Sequence, residues 1–132
     1  MTGMEIVGEL LRARASLTAI VAAEWIKGGA LPDDAPLPSI LIRTTSLTDW
    51  QSLRVGAWIH STGRISVAVR AQDYRQQGAL IGEVRKLHGF TGDHGAARRI
   101  SIRTAGLGPD VRGLGGSFEQ TQDFRVSFDA PA

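Results

Sequence analysis

Gly113-Leu114-Gly115-Gly116 has the composition of a phosphate cradle. A cradle needs its glycines to open a helix, so that free amides and the helix dipole face the anion, but here a strand pattern follows and the segment reads as a plain loop. His88, Asp93 and His94 come nearest to a metal-ligand set, yet two histidines and a carboxylate at this spacing match no zinc motif. His88 instead falls where it would favour the negative end of a preceding helix. Asp33-Asp34 offers oxygen ligands for a hard cation, but no further ligands accompany it, and a solvated loop is the simpler account. Ser61 follows His60 directly; neighbouring side chains in a turn do not converge, and no Gly-x-Ser-x-Gly elbow occurs. The chain has no cysteine, which excludes disulfides, thiolate zinc sites and cysteine nucleophiles. The sequence therefore argues against an enzyme, and no catalytic residue, cofactor or metal is assigned.

The residues that suggest a role are arginines alternating with apolar side chains. Arg70, Arg103 and Arg125 are in phase with Ser66, Ser101 and Ser127, which predicts one shared polar sheet face; Arg43 is a further candidate, on an earlier strand. Such a face is compatible with solvent, with a subunit interface, or with nucleic acid. The strands around Ile65 and Ile100 carry no interleaved aromatic residues, which argues against a stacking platform for single strands. Trp50 and Trp58 are candidates either for partner contact or for core packing. Gly78 and Gly82 lie four apart in a helical pattern, where each costs about 1 kcal/mol relative to alanine. Close approach to the sheet or to another subunit would offset that cost; chance is the alternative. The candidate interface set is thus Arg43, Trp50, Trp58, Arg70, Gly78, Gly82, Arg103 and Arg125.

These residues need elements to place them. Thr2-Gly3-Met4-Glu5 has the spacing of a capping box, so a helix starts there, with Ile6, Val7, Leu10 and Leu11 on one face. Residues 16–23 suit either a second helical segment or a strand; the favoured reading is a helical turn followed by a short strand over 24–27. Glycines, prolines and paired aspartates make 28–38 a loop. Residues 39–47 resume a strand with Ile40, Ile42 and Thr44 on one side and Leu41 and Arg43 on the other. Neither period is clean over 48–63, where Trp50, Leu53, Val55, Trp58 and Ile59 suggest a hairpin arm ending at Ser61-Thr62-Gly63.

The clearest unit is Arg64-Ile65-Ser66-Val67-Ala68-Val69-Arg70-Ala71 leading into a helix over 75–88. Asp73 is the expected N-cap, with Gln76 completing a capping box, Leu80, Ile81, Val84 and Leu87 inward, and Gly89 as the stop. A strand over 99–104, a glycine-rich loop within 106–118 and a closing strand over 124–128 complete the chain. The expected fold is α+β: a single domain over 1–132, a mainly antiparallel sheet with two main helices packed on one face, and loops or arms at 28–38, 48–63 and 106–118.

A chain of 132 residues can bury roughly 65–70% of the surface its unfolded form exposes, so one core suffices. The formal charge is only +2, and Arg85-Lys86 and Arg98-Arg99 are the sole adjacent basic pairs, so nucleic-acid binding is not implied by charge. No apolar run approaches the roughly 20 residues of a membrane span. Glu5 stands where a secretory leader would be basic, and the sequence reads as that of a soluble, unexported protein suited to a reducing cytoplasm.

The order of elements, and in particular Leu37-Pro38-Ser39-Ile40-Leu41-Ile42, the 64–71 strand with Tyr74 just after it, and Phe124-Arg125-Val126-Ser127-Phe128, resembles the tail terminator or tail completion proteins of long-tailed phages, prophages and gene transfer agents. The resemblance implies a structural, non-catalytic virion protein assembled in the host bacterial cytoplasm and located at the neck end of the tail. It implies a hexameric ring that caps the tail tube protein, ends tube polymerisation and meets the head connector or head-closure protein, with DNA passing through the lumen unread and no membrane contact. A basic sheet module binding nucleic acid, or another phage neck protein such as head closure, is the alternative. The tryptophan-rich arm and the 106–116 loop depart from the family pattern and leave open which segment meets the tube.

Overall fold

The computed structural model describes residues 1–50 and 56–131. Thr2 opens α1 (Gly3–Arg12) as its sequence demands: its hydroxyl accepts from the Glu5 amide at 3.2 Å, and the Glu5 carboxylate accepts from the Thr2 amide at 3.4 Å. Ile6, Val7 and Leu11 are fully buried and Leu10 is partly so. Arg12, in the last turn, donates from Nε and Nη2 to the Ile26 carbonyl at 3.0 and 2.7 Å, fastening the helix end to the sheet edge.

A one-turn helix, α2 (Ala15–Thr18), follows and buries Leu17. The expected strand over 24–27 is shorter and later. Trp25 N–H bonds to the Ala22 carbonyl and closes a 3-10 turn over Ala23–Trp25, so β1 (Ile26–Gly28) begins only at Ile26. It lies parallel to β2 (Ser39–Trp50), Ile26 opposite Ile40, and the 29–38 connection is a loop as predicted.

Among the described residues the sheet has seven strands in the order β1-β2-β3-β7-β5-β4, with β6 also on β7, and every pairing except β1·β2 is antiparallel. Its remaining members are β3 (Trp58–Ala71), β4 (Thr91–His94), β5 (Ala97–Leu107), β6 (Val111–Arg112) and β7 (Phe118–Pro131). The domain is α+β, with α1 and α3 (Tyr74–Arg85) packed on one face. Between them lies the core: Ile40 and Ile42, then Ile65, Val67 and Val69, then Phe124 and Val126, then Ile100 and Ile102, facing Ile6, Leu11, Leu80 and Val84. Full burial of each such side chain contributes about 1.5–3 kcal/mol.

Several boundaries differ from the sequence reading. The arm does not end at Ser61-Thr62-Gly63; β2 and β3 continue as a paired ladder to Trp50 opposite His60, so 61–63 is mid-strand. Leu53 and Val55 lie outside the described residues. The helix stops at Arg85 instead of His88, its last bonds tightening into successive turns before Gly89 at φ 88°. Asp73 caps it by accepting from the Gln76 amide at 2.7 Å, but the Gln76 side chain accepts from Gln72 N–H, so the capping box is displaced by one residue. The His88 ring turns from the helix end to β5, where its Nδ1 accepts from the Thr104 amide at 2.9 Å.

The largest difference is β7, which has 14 residues where the sequence suggested five over 124–128. Gln120 and Gln122 occupy inward positions and hide the alternation. Their amides donate to the carbonyls of Gly108 and Gly106 at 3.0 Å each, satisfying backbone groups where β5 bulges and leaves the ladder. Gln77, buried on α3, donates to Asp110 at 2.7 Å and extends this polar network to the 108–117 loop, which itself contains β6 and a 3-10 turn over Leu114–Gly116.

Candidate functional site

One sheet face is covered by helices; the other carries the polar side chains. Alternation puts Ser39, Leu41 and Arg43 of β2, the even-numbered residues 60–70 of β3, the odd-numbered residues 119–129 of β7, and Ser101 and Arg103 of β5 on that open face. Arg70, Arg103 and Arg125, expected to share one face, do lie on it, and the register adds Arg43 to them. They do not form one patch. Arg103 stands opposite Arg125, and Arg125 opposite Arg64, making a row of arginines across β5, β7 and β3. Arg70 lies about 20 Å further along β3. It is largely buried, 3.5 Å from Glu119, and so belongs to an ion pair of the sheet itself.

Acids share this face with the arginines. Glu119, Asp123 and Asp129 alternate with Arg125 along β7, a period-two signal that was readable once β7 was extended backwards. Asp123 accepts from Arg64 Nε at 2.9 Å and from Ser66 at 2.7 Å, while Arg64 Nη2 also reaches the Ala105 carbonyl. Asp129 accepts from His60 Nδ1 and from Arg99 Nε, each at 2.7 Å. A carboxylate can only accept here, so His60 carries a proton on Nδ1. The His60 hydrogen bond, followed by that of Arg99, holds the Asp129 pKa below its ordinary value. With these pairs satisfied, Arg43, Arg103 and Arg125 are exposed and have no ion-pair partner among the described residues. A shallow cleft of about 240 Å³, lined by Ser46, Thr48, Thr62, Arg64 and Arg125, adjoins the arginine row.

At one end of this face stands the hairpin arm. Trp50 is 62% exposed and Trp58 40%, so the core-packing reading fails for both. A bulge in β5 between Arg98 and Ser101 fixes the arm's base. Arg99 takes φ 51°, a left-handed conformation that costs a non-glycine residue about 1 kcal/mol or more, and is held there by its amide donating to Asp93. The bulge turns Arg98 onto the Trp58 ring, 3.3 Å from its centroid, and Arg99 onto Asp129.

Gly78 and Gly82 do not approach the sheet. Both are exposed on the outer side of α3, and a Cβ added at either would meet nothing within 4 Å, which removes the sheet-packing explanation and leaves another subunit or chance. On the helical face, Glu83 gathers Lys86 at 2.8 Å, Ser16 at 2.6 Å and Arg14 at 3.7 Å; the hydrogen bonds from Lys86 and Ser16 lower its pKa.

The histidines and their neighbouring polar residues are dispersed. His60 and Ser61 project to opposite faces of β3, His60 to Asp129 and Ser61 to Asp49. His94 meets Glu9 at 3.4 Å, and among the described residues no group of three metal-ligating side chains comes together. No described helix is long and apolar enough to cross a membrane.

No family model and no curated protein matches the chain. Among solved structures, the fold is similar to that of a chain in the virion of a native gene transfer agent particle, with a TM-score of 0.66 and 21% identity over 94% of this chain and 92% of that one. At that identity the likeness concerns the fold.

Proposed function

We propose that this chain is a structural component of a phage-like virion: a tail terminator that caps the tail tube as a hexameric ring, ends its polymerisation and forms the joint to the head connector or head-closure protein. The observation that carries this reading is the match in fold, over nearly the full length of both chains, to a chain of a gene transfer agent virion. Two features of the molecule agree with it. The open sheet face and the tryptophan arm are unlike surfaces, as a ring needs where its subunits contact head to tail and its two rims meet different partners. Asp123 and Asp129 tie neighbouring strands of the open face together, which suits a rigid contact surface. Binding along a nucleic acid is the weaker reading, because Glu119, Asp123 and Asp129 share the face with its arginines.

The reading is tested by adding the purified protein to polymerising tail tube protein. Tubes that stop short and carry density at one end are the expected result; tubes of unchanged length with bare ends contradict it.

A further inference from the structure

The arginine row is the feature of this face that the sheet's own contacts leave unresolved. Arg103 and Arg125 are directly opposite on neighbouring strands, with Arg64 next in line, and like charges so placed destabilise a sheet. Arg64 is neutralised by Asp123. Arg103 and Arg125 remain exposed and without an acidic partner among the described residues. A surface of this kind fits a compact pair of carboxylates better than a continuous polyanion, because Asp123 and Asp129 flank it along β7 and would repel phosphates laid along the strand.

The chain itself carries such a pair. Pro32 to Ala35 forms a tight turn, closed by Ala35 N–H on the Pro32 carbonyl at 3.1 Å, and its two central residues are Asp33 and Asp34. Both are exposed and neither has an ion-pair partner among the described residues. The turn belongs to the connection between β1 and β2, at one edge of the sheet, whereas Arg103 and Arg125 lie on β5 and β7, in its other half. Unlike charges in different halves of one subunit are what a head-to-tail contact between identical copies requires.

We infer that the Asp33-Asp34 turn of one copy docks on Arg103 and Arg125 of the next, so that this charge pairing is a subunit contact of the assembly. The inference rests on the ring reading and names its interface. It is tested with two charge-reversed proteins, Arg103→Glu with Arg125→Glu, and Asp33→Lys with Asp34→Lys, and with their equimolar mixture, each measured by light scattering and, with tube protein present, by imaging. All four positions are exposed, and circular dichroism checks the fold; Arg103→Gln with Arg125→Gln serves if the glutamate variant does not fold.

Each variant alone should associate at least about tenfold more weakly than the unaltered chain, and the mixture should regain assembly by alternating the two kinds of subunit. Variants that assemble like the unaltered chain overturn the inference while leaving the ring reading in place. Unchanged assembly with weaker binding to duplex DNA overturns it in favour of a phosphate contact. An unaltered chain that forms no assembly, alone or on the tube, overturns both.

Discussion

Asp129 joins the arm to the rest of the sheet, and its chemistry gives a pH signature. Its carboxyl is held below the ordinary value of 3.8 by the His60 and Arg99 hydrogen bonds. In the unfolded chain Asp129 takes up its proton first as pH falls, so its contribution to stability is fully present above 3.8 and disappears as pH drops through the lowered folded value. Asp129→Asn is expected to cost about 0.5–1 kcal/mol at neutral pH, since both partners are partly solvated, and to flatten the acid limb of the stability curve. Urea midpoints for both proteins from pH 7 down to pH 2 check this, and parallel curves contradict it. The arginines were legible as residues in phase on a polar face. Their partners were not, because Glu119 and Asp123 lie in a stretch where inward glutamines break the hydrophobic alternation. Nor does sequence spacing show that Arg99 adopts a left-handed backbone and so sends Arg98 to Trp58.

At the scale of elements, α3 shows what local signals can and cannot carry. Its Asp73 cap, its buried Leu80, Ile81 and Val84, and the glycine after it were all readable from cap chemistry and a 3.6-residue period. The orientation of Gly78 and Gly82 was not, because a glycine leaves no hydrophobic mark on either side of a helix. Each faces open space, so Gly78→Ala and Gly82→Ala should each stabilise the isolated subunit by about 0.5–1 kcal/mol. A urea melt of the double variant checks this; a loss of stability contradicts the exposed placement. If the stabler variant also fails to assemble, this helix face is a second contact between subunits. The β2–β3 hairpin was expected, but its bounds were not legible, since Thr48, Asp49, Ser61 and Thr62 are polar on both faces and give period two nothing to act on.

For the whole molecule, the α+β architecture followed from the order of strong elements: a capped helix, an alternating strand running into a second helix, and late strands that could only pair beside it. Strand order across the sheet was beyond reach of periodicity, because it depends on contacts distant in the chain, as when β7 inserts between β3 and β5. Function is still less visible at this scale, since a fold does not fix what its surfaces bind. The proposed ring is therefore best tested by absolute mass in solution across a concentration series, with negative-stain imaging of the same sample and of the sample mixed with tube protein. A hexameric terminator would give a species near 85 kDa, six chains of 14.1 kDa each, appearing as rings in solution or at tube ends. A 14.1 kDa monomer at every concentration, with no rings even when tube protein is present, would contradict it.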